Sequence, residues 1–520
     1  MNKESSKWLI VFVVILSVLL MTGLMNANHT DNTANKVTNT IDLDNGDTDI
    51  DWDRYPTSNI YLSNSLEITK SGTYHLTGSL IDGEVSIKGD SEGKIRLILD
   101  NVNLHNSNGP VIVCYSADDL VIELVGKNYL SDGNSYSAQY DEDITGAIYS
   151  KADLSFTGDG TLNLTANYQD GIISKDDLKF NSGTYNITSL DDGIRGKDSV
   201  YVIAGNFTID ASADAIKSTN ETDQGKGFIM LENGNYNLTA GSKGIKATSS
   251  IFISGGNYII NTKDDSIHSN NYVGIRGGKF NINAGDDAIH ADRELVIDDG
   301  DITIAKAYEG LEAQAITINK GTIHVTTNDD GINAGGGADN SANNRPGANP
   351  FDADENCVLS INGGDIYINA SGDGVDSNGW LYINGGTTIV DGPTNSGNGA
   401  LDAGMGIVMN GGEVIAIGAS GMAESLGDSS SINNVSIFLP STQPANTTIT
   451  IKNSSGDTII EHTSAKSFDH IAFGSGLLRM GEKYTLYLDN ESVEQFTISG
   501  ITTTIGQSNM DQPMMPNGRR

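Results

Sequence analysis

A short phrase carrying paired carboxylates recurs along this 520-residue sequence. It reads DDGIRG from Asp191, ADAIKS from Ala213, DDSIHS from Asp264, DDAIHA from Asp286, YEGLEA from Tyr308 and DDGINA from Asp329. Carboxylates stacked one strand spacing apart repel by about 1 kcal/mol in bulk water and by several at a protein surface, so a row of them needs a neutralising partner. Clustered turn-borne oxygens suit calcium, which takes about 6 to 8 oxygen ligands. The ligands expected are drawn from Asp170, Asp191, Asp192, Asp214, Asp264, Asp265, Asp286, Asp287, Asp329 and Asp330. A doubled acid lets two successive turns converge on one ion. The simpler reading is that each carboxylate caps backbone amides in its own turn. Recurrence in register favours calcium over that reading.

The position after the central Ile or Leu of each phrase carries Arg195, Lys217, Lys246, His268, His290 and then Glu312. Five of these six are basic types in a strongly acidic chain. A row of cations beside an acid ladder reads as a trough for a polyanionic chain, and uronate polysaccharides fit best. Arg195, Lys217, Lys246, His268 and His290 are therefore the expected substrate-binding residues. Catalysis is the alternative: Lys217, Lys246 or Arg195 could act as the base of a calcium-dependent lyase, removing the proton next to a uronate carboxylate while the ion neutralises the developing charge. Lys243 interrupts the acid ladder and reads as an ion-pairing residue rather than a base.

The elements that must position these groups follow from their spacing. The anchors Ile148, Ile172, Ile194, Ile216, Ile245, Ile267, Ile289, Leu311, Ile332 and Val375 are separated by 24, 22, 22, 29, 22, 22, 22, 21 and 43 residues. The 29 holds an insertion near Thr219 to Gly227, and the 43 reads as about two periods around the Gly/Asn-rich segment from Gly335 to Pro350. Each period contains three short alternating strands with glycine turns, too short for a propeller blade and right for a parallel β-helix. The fold expected is all-β: a right-handed parallel β-helix of about 22 residues per coil with a small C-terminal antiparallel cap. The anchor and the small residue two positions on point inward, the residue between them outward.

Organisation follows the same signals. Residues 1–27, with Lys3 and Lys7 before an apolar run, read as a signal peptide or N-terminal membrane anchor. Residues 28–50 read as a linker, 51–428 as the β-helix, 429–505 as a β-sheet or sandwich cap, and 506–520 as a disordered tail. Export or attachment to the outer face of the membrane is expected. The net charge of −36 argues against nucleic acid as a partner. Cys114 and Cys357 read as buried free thiols, and a monomer is expected. Tyr149, Tyr168, Trp380 and Tyr382 are candidates for stacking on neutral glucans, with mutual packing the preferred reading.

The ordered series KIRLILDNVNLHNSNGP (from Lys94), GAIYSKADLSFTGDGTLNLTANYQDGIISKDDLKF (from Gly146), DDGIRGKDSV, DAIKSTNETDQGKGFIML and GSKGIKA resembles the secreted clostridial "carbohydrate-binding domain-containing" proteins. That resemblance covers roughly residues 40–500. It implies a calcium-loaded right-handed parallel β-helix of pectate-lyase-like architecture that binds plant cell-wall polysaccharide, polygalacturonate or cellulose, without assured catalysis. No lipoprotein cysteine follows the N-terminal apolar run. A structural surface adhesin is the third reading, and it leaves the cationic row unexplained.

Overall fold

The computed structural model describes residues 50–335 and 353–507; the expected signal or anchor, almost all of the linker and the tail beyond 507 lie outside these. The chain winds through three parallel β faces. One coil runs Ile267–Ser269 on the first face, Tyr272–Ile275 on the second and Lys279–Asn283 on the third. Each strand pairs in parallel with its counterpart one coil away, as in Ile267↔Ile289, Val273↔Leu295 and Phe280↔Ile302. The anchors form one unbroken ladder from Ile148 through Val375. It extends at both ends, to Leu66, Val85 and Ile112 before and to Leu401 after.

The ladder corrects one expectation. Ile332 pairs directly with Val375, so the 375 − 332 = 43 residues between them are one coil and not two. The excess falls in the sequence between Ile332–Ala334 on the first face and Val358–Ile361 on the second, in a glycine- and asparagine-rich run without the apolar alternation that marks a strand. The insertion from Thr219 to Gly227 leaves at the corner between the same two faces, after Ile216–Ser218 and before Phe228–Leu231.

Inward positions are aliphatic and buried, with Ile267, Ile289 and Leu311 all at 0% exposure. Full burial of such a side chain is worth about 1.5–3 kcal/mol. On the third face the inner row changes to rings: Tyr185, Phe207, Tyr236, Tyr258 and Phe280 stack at 4.6–5.2 Å, close to parallel. Each ring sits two residues after a turn glycine. At Gly256 the backbone takes φ +107°, and an added Cβ would lie 2.9 Å from the Gly234 carbonyl and 3.2 Å from the Tyr258 ring. The buried hydroxyl of Tyr258 donates to the Gly255 carbonyl at 2.8 Å.

The open end after Glu413–Gly418 is closed by antiparallel pairing with Phe468–Ser475, which also pairs with Asn434–Gln443. A separate four-stranded antiparallel sheet is built from Thr448–Asn453, Thr458–Thr463, Lys483–Leu488 and Glu491–Thr497. Its core joins that of the last strands through Ile415, Ile449, Phe473 and Tyr484. This is the cap that a solenoid requires over its exposed edge. Cys114 and Cys357 are free and buried.

Candidate functional site

The corner between the third and first faces carries the acid ladder, one residue per coil. Its carboxylates are used twice. One oxygen accepts the backbone amide of the equivalent residue in the next coil: Asp214 N–H to Asp192 at 3.1 Å, Lys243 N–H to Asp214 at 2.9 Å, Asp287 N–H to Asp265 at 3.0 Å and Asp373 N–H to Asp330 at 2.6 Å. The other oxygen faces the row that follows the anchors. Arg195 reaches Asp170 at 3.0 Å, and Lys217 lies 3.1 Å from Asp192 and 2.9 Å from Asp214. Lys243 pairs with Asp264 at 3.1 Å and with Asp265.

All of the basic row except Lys246 is therefore engaged with carboxylates. His268 donates to Asp265 at 2.8 Å, and His290 is enclosed by Asp287 at 3.3 Å, Glu312 at 2.5 Å and Asp292 at 3.1 Å. The sequence pattern places both imidazoles outward, yet they are buried at 4% and 0% exposure, stacked 4.7 Å apart. Burial alone would lower the pKa of His290, but its three carboxylates raise it above the ordinary imidazole value. Burial likewise acts to raise Asp265, but the bond from His268 and the charge of Lys243 bring it below the ordinary carboxylate range. Lys246 stacks in register between Lys217 and His268 and makes no ion pair among the described residues. Two expected acid groups do converge: the oxygens of Asp170, Asp191 and Asp192, and of Asp264, Asp265 and Asp286, lie within 4.8 Å of one another. Both also face a fixed cation.

Past His290 the row changes sign. It continues in register as Glu312, Asn333, Asp376 and Asp402. Beside it the ladder supplies Glu309, Asp330 and Asp373. Among the described residues none of Asp330, Asp373, Asp376 and Asp402 has a Lys, Arg or His partner. Burial first, and then mutual repulsion, pushes Asp376 up to about 8, Asp330 to about 7 and Asp373 to about 6. Glu424, brought alongside from beyond the last coil, is raised to about 7 by burial and by Asp402. Asn333 Oδ1 is buried without a hydrogen-bond donor. A Cβ on Gly372 would come within 2.3 Å of oxygens of both Asp329 and Asp330. This all-oxygen donor set fits a hard divalent cation such as calcium.

Sequence reasoning reached Asp329 and Asp330 as ligands, but not Asp376, Asp402 or Glu424. Asp376 and Asp402 occupy the position directly after the anchor, so following the basic row past Glu312 was the available signal. Glu424 lies outside the repeat and carried none. The aromatic candidates pack on protein: Tyr149 is fully buried, Tyr168 stacks on Tyr136 at 4.4 Å and Trp380 on Tyr382 at 5.9 Å.

A capped parallel β-helix with a charge-graded ridge along one corner is the class these features define. The family model for carbohydrate-binding domain-containing proteins matches residues 63–310 and 249–341, and the chain belongs to that family. A curated relative of the same description from Acetivibrio thermocellus is 36% identical over 127 residues, 24% of this chain and 44% of the relative. The chain thus spans less than half the length of that relative. A solved structure titled as the polysaccharide lyase-like protein from C. thermocellum, gadolinium derivative, is similar over 46% of this chain and 96% of its own, at 28% identity and a TM-score of 0.39.

Proposed function

We propose that the protein binds an acidic plant cell-wall polysaccharide of the polygalacturonate type through calcium, outside the cell or on the outer face of its membrane. The observation that carries this reading is the half-buried stack Asp330, Asp373, Asp376 and Asp402, in which burial and neighbouring carboxylates raise the first three and no member faces a basic side chain. Asp330, Asp373, Asp376, Asp402 and the Asn333 amide oxygen would hold the ion. Bound there, calcium supplies positive charge to which a uronate carboxylate can add as a further oxygen ligand. The protein's own residues keep that acid cluster in register: Asp330 accepts the amide of Asp373, and Asp373 accepts that of Gly399 at 2.5 Å, so one oxygen of each is fixed by the backbone. The apolar run at the N-terminus supports export or anchoring.

A lyase is the second reading, and one observation narrows the choice of its base. Lys217 and Arg195 are occupied by carboxylates, and those neighbours hold the Lys217 ammonium above its ordinary pKa against the opposing effect of burial, which suits it poorly to accept a proton. Lys246 has no such partner, and the role of base falls to it.

Both readings meet in one experiment on the full-length protein with polygalacturonate, following bound polymer and the ultraviolet absorbance of unsaturated product together. Binding should require calcium, fall to background in chelator, and weaken at least tenfold in the Asp376→Asn/Asp402→Asn variant. Binding indifferent to chelator overturns the calcium reading. Product that disappears in Lys246→Ala establishes the lyase.

A further inference from the structure

A second recess lies at the same corner of the solenoid, among its first coils. Its volume is about 400 Å³, and Asp82, Glu84, Asn108, Ser137, Gln139 and Tyr140 line it. Its outer wall is the segment between Lys127–Ser131 and Gly146–Ser150, an excursion from the coil. That segment is tied down at several points. The Ser137 amide donates to the Asn108 carbonyl at 2.9 Å, and the Tyr140 hydroxyl to Glu84 at 2.7 Å. Tyr136 donates to Asp132 at 2.8 Å and packs against both Tyr140 and Tyr168. The Tyr140 ring lies so close over Gly109 that a Cβ there would stand 2.4 Å from it. The wall is thus anchored by hydrogen bonds and ring packing before any ligand arrives, which reduces the entropy lost on binding.

The chemistry of the lining narrows the occupant. It contains two carboxylates and no Lys, Arg or His, so an anion would enter against like charge. The lining is too polar to be left dry by an apolar ligand, since unpaired buried polar groups cost about 1–3 kcal/mol each. One oxygen of Asp82 is held by the amide and hydroxyl of Ser107, both at 2.9 Å, and one of Glu84 by Tyr140. The second oxygens of Asp82 and Glu84 are acceptors for hydroxyls, while the Asn108 and Gln139 amides and the Ser137 hydroxyl both donate and accept. Alcohol groups, each a donor and an acceptor, match that set. Tyr140 adds an apolar edge for the C–H face of a ring.

We infer that this recess is a second saccharide site, specific for a neutral, hydroxyl-rich sugar unit and independent of divalent cations. It rests on the carbohydrate-binding family and not on the calcium cluster, from which it is separated along the ladder from Val85 to Val375 by roughly 50 Å at ~4.8 Å per rung.

The test is calorimetric titration of the full-length protein, in chelator throughout, with cellotetraose, mannotetraose and trigalacturonate. The expected result is binding of a neutral oligosaccharide and not of trigalacturonate, weakened at least tenfold by Tyr140→Ala and by Asp82→Ala. The exposed-loop variant Asn108→Ala guards against loss of fold and should weaken binding several-fold with an unchanged melting temperature. Asp376→Asn/Asp402→Asn should leave this binding intact. The inference is overturned if neither neutral probe binds, if binding appears only when calcium is restored, or if it is indifferent to all three recess variants. The polygalacturonate experiment can succeed or fail without altering any of these outcomes.

Discussion

Asp192 divides its oxygens between a backbone amide and an ammonium. Burial raises its pKa to about 6 against the pull of Lys217. The Lys217 side chain is 24% exposed and those of Asp192 and Asp214 only 2% and 4%, so the pair lies largely out of reach of solvent screening. Replacing Lys217 with Met leaves two buried carboxylates facing one another, and stability should fall by about 2–3 kcal/mol at pH 8. The loss should shrink at pH 5, where Asp192 takes up a proton; urea unfolding at the two pH values checks both statements. The presence of this ladder is legible from spacing alone. Its partners are not, because Arg195 bonds a carboxylate 25 residues back, and which neighbour a long side chain selects depends on geometry between coils. For the same reason the change of sign after His290 is visible in the letters but acquires meaning only once the row is known to be continuous.

The turn glycines set the shape of each coil. Gly256 combines φ +107° with the Gly234 carbonyl and Tyr258 ring where a side chain would stand, whereas a Cβ on Gly456, at φ +91° in the cap hairpin, would meet nothing within 4 Å. Gly456→Ala should therefore cost only the conformational preference, about 1 kcal/mol, and Gly256→Ala should cost more, about 2–3 kcal/mol with strain added. Denaturant midpoints of the two variants give the comparison, and equal losses would contradict the steric account. Strand type, inward anchors, period and cap are all readable, because alternation, glycine turns and the loss of period are local signals. The coil count around Ile332 is not readable. An interval of 43 residues fits two plain coils or one coil with an excursion equally well, and only the direct pairing with Val375 decides.

Taken whole, the ridge is graded: balanced by fixed cations through the early coils and left anionic in the later ones. In cation-free protein Asp373, Asp330, Glu424 and Asp376 are raised to about 6, 7, 7 and 8. The unfolded chain releases these protons near the ordinary value of about 4, while the folded chain retains them to about 8. Between those limits the folded state binds more protons, so their contribution falls as pH rises. In chelator, the wild type should lose more melting temperature from pH 5 to pH 8 than the Asp376→Asn/Asp402→Asn variant does, and calcium at pH 8 should restore the wild type alone. Parallel pH profiles for the two proteins would remove the basis for the calcium reading. The corner excursions carry a different implication. Because Ile216 still meets Ile245, and Ile332 still meets Val375, across intervals of such unequal length, the register of the first face does not depend on how much chain is inserted at that corner. The corner between the first and second faces is a ready port at which a loop, a tag or a whole foreign domain can be spliced in while the coils on either side stay stacked.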